Sequence, residues 1–219
     1  MKLLYSTFIL SLTLLFACSS GKQRLEQGDY DTAVYKAVKR LQQKPDHRKA
    51  VIVLKDAYQL AVDEHMQDAR DLDATTNPFK YAGMLNAYEM VERLNNAIRI
   101  YPKYRKHLDL ITVSEEIAFS KHKLAIAHKN QGDEFYNVGT KHHARLAHSH
   151  FVDANFYSPG VVSANRLAQV REDGTENIQI EFANSRSLFR SFASEMVFSK
   201  ILNRFRSANY PFLRVVEPG

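Results

Sequence analysis

Five of the nine histidines stand between His128 and His150: His128, His142, His143, His148 and His150. Imidazoles hold a metal when two or more converge on one point. On a helix His143 and His150, seven apart, share a face, whereas His148 and His150 point away from each other. His128 and His142 come together only if their helices meet. No His-Glu-x-x-His motif exists, and no acidic residue interrupts 142–150. The pattern reads as an exposed polar face that gains charge below about pH 6.5, and no metal site is expected. Nucleophilic and phosphate chemistry lack their motifs: there is no Gly-x-Ser-x-Gly elbow, no Gly-x-Gly-x-x-Gly and no P-loop. Glu115 and Glu116 are adjacent, as on a solvated helix face. The basic stretch Lys103 to His107 reads as a solvated connection. Neither an enzyme nor a cofactor site is expected.

A chain of 219 residues suffices for one domain with a small appendage. The chain is 45% hydrophobic and holds 8 Gly and 6 Pro, which excludes disorder throughout and collagen-like architectures. Net charge is +6, but the basic residues are dispersed, so no nucleic-acid partner is expected. The one cysteine, Cys18, excludes an internal disulfide framework and a Cys-rich zinc site.

Met1-Lys2 is followed by a nearly continuous apolar run of 14 residues, Leu3 to Phe16. That is short of the roughly 20 needed to span a bilayer and has the length of a signal-peptide core. It ends in Leu15-Phe16-Ala17-Cys18-Ser19, which resembles the bacterial lipobox. The resemblance implies cleavage before Cys18 and lipid attachment to its thiol. Ser19, in place of Asp, resembles an outer-membrane address in the enterobacterial pattern. The expected location is the outer membrane, facing the periplasm, with residues 1–17 as the signal peptide.

From Lys22 to about Ala168 the apolar residues follow a helical period. The stretch Gln27 to Val34, with Gly28, Tyr30 and Ala33, resembles the inter-helix turn of a tetratricopeptide repeat (TPR). Pro45, twelve residues after Ala33, stands where that repeat stops its second helix, and Leu54 and Tyr58 take core places of the next helix. Ala147, Phe151, Ala154 and Pro159 resemble a second-helix signature, with Gly132 and Phe135 upstream and an insertion around Asn137–His142. Leu94, Ala97 and Pro102 repeat its end. Thr75-Thr76-Asn77-Pro78 interrupts the period. Tyr81, Leu85, Tyr88, Val91, Leu94 and Ile98 form an amphipathic stripe, and Ile117, Leu124 and Ala127 share a face of a helix from Val113 to Asn130.

After Val170 the composition changes. Ile178, Ile180 and Phe182 alternate as in a strand, Arg186 to Phe205 is helical, and Phe212 to Val216 reads as a second strand. Strand, helix and strand in so short a span imply a parallel βαβ unit. This arrangement, with Val215-Val216-Glu217 at the end of its last strand, resembles the opening of the α/β domain in curli-export-type and related envelope lipoproteins. The expected fold is mostly α: TPR-like helical repeats over 18–170 and a small α/β unit over 171–219. The expected function is that of a lipid-anchored scaffold or adaptor binding another envelope protein, in envelope assembly or secretion. An outer-membrane protein-assembly lipoprotein and a periplasmic enzyme are the alternatives.

Overall fold

The computed structural model describes residues 21–105, 108–179, 192–207 and 210–216. The leader, Cys18, Lys106, His107, Ile180, Phe182, Arg186, Leu188, Phe189 and Glu217 lie outside them. The described chain is mostly helical, with one two-stranded parallel sheet near its end. It divides into two compact units, the first ending at Lys121 and the second beginning at His122.

The first unit contains α1 (Gly21–Glu26), α2 (Tyr30–Gln43), α3 (Arg48–Asp73), α4 (Lys80–Arg99), α5 (Pro102–Arg105) and the start of α6 (Ser114–Asn137). Gly28 turns the chain between α1 and α2 at φ 78°, where a side chain would be strained. Asp29 then caps α2 by accepting the Thr32 N–H. Helix α2 stops at Gln43, two residues before Pro45, and the Thr75–Pro78 stretch separates α3 from α4.

Helix α2 packs on α3, and α3 on α4. Ala33, Ala37, Ala57 and Ala61 are buried and let the backbones approach, while Leu41, Leu54, Val62, Val91, Leu94 and Ile98 fill the space between them. Burying one such large side chain contributes about 1.5–3 kcal/mol. The core also encloses polar groups, each of which needs a partner. The Tyr58 hydroxyl donates to Asn95 Oδ1 (2.7 Å) and accepts the Ile111 N–H (3.0 Å). Asn95 Nδ2 donates to the Ile111 carbonyl (2.8 Å), tying the segment after α5 to α3 and α4. In the basic stretch, Tyr104 is buried and donates to the Leu41 carbonyl, whereas exposed Lys103 pairs with Asp46 at 2.8 Å.

The second unit contains the rest of α6, then α7 (Lys141–Tyr157), α8 (Ala164–Asp173), β1 (Glu176–Gln179), α9 (Phe192–Ser207) and β2 (Leu213–Val216). Gly139, at φ 77°, turns α6 into α7, and Thr140 caps α7 by accepting the His143 N–H. Helix α6 crosses α7 where Gly132 leaves room for the ring of Phe151. Ala144, Ala147, Ala154, Val162 and Val170 complete this core. The α7–α8 turn is held by Asn155, whose amide donates to the Val162 carbonyl (2.8 Å) and whose Oδ1 accepts the Val162 N–H (2.9 Å). Strands β1 and β2 are parallel, with Glu176 opposite Leu213 and Gln179 opposite Val216, and α9 packs on β2. The strand expected from Ile178 already begins at Glu176, because the Glu176 N–H pairs with the Phe212 carbonyl at 2.9 Å. Phe212 itself lies in the preceding turn.

Candidate functional site

The second unit carries an open groove of about 680 Å³. Helix α7 contributes His148 and Val152, α8 contributes Leu167 and Arg171, and the C-terminal end supplies Phe205, Tyr210, Leu213 and Val215. Helical spacing explains the pairing on each wall: positions four apart, such as 148 and 152 or 167 and 171, share a face. The His148 and Phe212 rings meet perpendicular to each other at a centroid distance of 5.3 Å.

Two of the charges around the groove pair with each other. Arg214 forks onto both oxygens of Glu172 (2.7 and 2.5 Å), and this hydrogen bonding holds the Glu172 carboxyl below its ordinary range. Arg171 Nε donates to the Pro211 carbonyl at 3.3 Å. Burial, reinforced by the Arg171 charge, lowers the His148 pKa and so favours its neutral imidazole. The Thr175 hydroxyl donates to the Arg171 carbonyl at 2.7 Å. Such a surface offers apolar contact and a few fixed dipoles, which suits a side chain or a peptide segment.

Helix α9, beside β2, leaves Val197 49%, Ile201 41% and Phe205 40% exposed. These residues stand at four-residue steps and make one apolar stripe. Strand β2 pairs with β1, and no other strand among the described residues joins the sheet. Val152 and Tyr210 are also exposed at the groove. Val152, Leu167 and Tyr210 as groove residues were not legible in the sequence, since they lie on separate elements that only the fold brings together.

Among the sequence-selected histidines, His142 is exposed, but the other four are partly buried and do not form one solvated face. His128 lies against His150, with their Nδ1 atoms 3.1 Å apart, and not against His142. Burial is the main cause lowering the His128 pKa; Asp153 opposes it and His150 adds to it. His143 Nδ1 lies 2.7 Å from the Thr140 hydroxyl. In the first unit, His65 Nε2 contacts both oxygens of Asp31, at 3.0 and 3.1 Å, and this hydrogen bond raises its pKa against the effect of burial. Glu115 is exposed and Glu116 partly so.

Fold and site together define a mostly helical protein with a C-terminal βαβ unit and a groove of mixed polar and apolar lining beside it. No protein-family model, curated protein or solved structure matches the chain. Among the described residues no helix is long and apolar enough to cross a membrane.

Proposed function

We propose that this chain is a lipid-anchored, periplasm-facing adaptor lipoprotein that binds another cell-envelope protein in envelope assembly or secretion. The observation that carries the reading is the exposed Val197–Ile201–Phe205 stripe next to the groove. Contiguous apolar surface of this kind marks interaction sites more often than it occurs on isolated monomers. An incoming strand or helix gains apolar contact there, and β2 offers backbone groups to an extended segment.

The helical part is read as degenerate TPR-like hairpins. The support is local: the Gly28 turn before Ala33, the end of α2 ahead of Pro45, and the α6–α7 hairpin with Gly132 against Phe151 and buried Ala147 and Ala154. Stacked hairpins of this type bury faces that no single hairpin covers. Helix α3, at 26 residues, is longer than one helix of such a repeat, so the repeats are irregular.

The anchor rests on the lipobox-like sequence ending at Cys18. Several acyl chains hold a protein firmly, at about 0.8 kcal/mol per buried CH₂. The wild-type chain, expressed in a bacterial host, is expected to incorporate labelled palmitate and to sediment with membranes. Cys18→Ser is expected to lose the label and to stay unprocessed or become soluble. A wild-type chain that takes up no label refutes the anchor.

A further inference from the structure

Where α6 crosses α7, a second group of side chains converges, independent of the groove and of the adaptor reading. We propose that His128, His150 and Asp153 form a binding site for a zinc-type divalent cation. His150 and Asp153 are three residues apart on α7 and share a face. His128 reaches them from α6.

The distances fit such an ion. The two imidazole Nδ1 atoms are 3.1 Å apart, and Asp153 Oδ2 is 3.7 Å from His128 Nδ1. One ligand atom from each residue lies within 4.8 Å of the other two. A tetrahedral zinc with bonds of about 2.0–2.1 Å places its ligand atoms about 3.3 Å apart. The histidine pair already stands close to that spacing, and the half-exposed Asp153 side chain has room to close the remaining gap.

The rings are also held in place. His128 stacks on Tyr157 (centroids 5.7 Å, 23° between planes) and His150 on Phe135 (5.4 Å, 27°). Ligands fixed by their neighbours lose little freedom when a metal arrives. Two imidazoles and one carboxylate suit zinc and its transition-metal neighbours; calcium and magnesium prefer sets made of oxygen alone. Three protein ligands leave the fourth position to water. A bound ion would clip α6 to α7 across the turn at Gly139.

The test uses the tag-free full chain, stripped of metal and titrated with Zn²⁺ by calorimetry and with Co²⁺ by visible absorption. The expected result is one tight equivalent of zinc and the intense bands of tetrahedral cobalt. His128→Gln, His150→Gln and Asp153→Asn should each weaken binding at least tenfold, and His142→Gln should leave it unchanged. Asp153 is half exposed, so Asp153→Asn keeps the test decisive if a histidine variant loses helicity. No zinc binding by the wild type, binding that survives all three substitutions, or equal loss in His142→Gln overturns the site.

Discussion

Gly132→Ala is the substitution whose outcome the α6–α7 crossing determines most sharply. A Cβ at position 132 would stand 2.5 Å from Phe151 Cε1 and 2.7 Å from Cδ1. Carbon atoms in good contact sit about 3.5–4.0 Å apart. Phe151 is 1% exposed, so its ring cannot swing into solvent. The helices must separate or the ring must leave its rotamer, at a cost of about 1–3 kcal/mol. Alanine recovers about 1 kcal/mol of helix propensity. The expected net effect is a loss of about 1 kcal/mol in a substitution that ordinarily stabilises a helix interior. Phe151→Leu removes the Cε1 and Cζ atoms but keeps a branched Cδ pair that can turn away from the added Cβ, so in that background Gly132→Ala should cost clearly less than in the wild type. The assay is hydrogen exchange of the α7 amides, converted to local opening free energies for the two single variants and the double variant. Stabilisation by Gly132→Ala in the wild-type background, or the same effect in both backgrounds, refutes the close crossing.

Two further outcomes follow from the first unit. Tyr58→Phe leaves the Ile111 N–H without its acceptor and removes a donor from Asn95; the expected cost is about 2 kcal/mol from buried unpaired groups. Urea denaturation checks it, with exposed Tyr35→Phe as a control expected to change stability by less than about 0.5 kcal/mol. His65, facing Asp31 on α2 with Glu64 and Asp68 on its own helix, has a folded pKa raised above the unfolded value. Its contribution is therefore full below about pH 6.5 and fades as pH rises through the folded value. His65→Gln should thus be less stable than wild type at about pH 5.5 and should approach it at alkaline pH. An NMR titration placing the His65 pKa at or below the ordinary value contradicts this.

The helices were legible because their apolar periods coincide with burial: Val91, Leu94 and Ile98 are fully buried on α4, as are Ala147 and Ala154 on α7. The turns at Gly28 and Thr75–Pro78 were legible from residues that interrupt a helix. Ends were less so. Helix α6 runs past Asn130 to Asn137 because no strong breaker appears before Gly139. What the sequence could not reveal is convergence across elements. His128 and His150 meet because α6 crosses α7, and Asp153 lies just beyond the 142–150 stretch in which no carboxylate stands. The Tyr58–Asn95–Ile111 network joins residues from distant parts of the chain, with no local pattern to announce it. The groove likewise combines two helices with a C-terminal segment far from them in sequence.

The adaptor account is tested most directly by placing a photo-crosslinking residue at Val152 in the groove, at Ile201 on α9, or at the 70% exposed Ile100 in the first unit. Each variant is expressed as the full chain in a native envelope and irradiated. The account predicts a discrete adduct with one envelope protein at Val152 and Ile201 and none at Ile100. No adduct at either Val152 or Ile201, or the same adducts at all three, contradicts it.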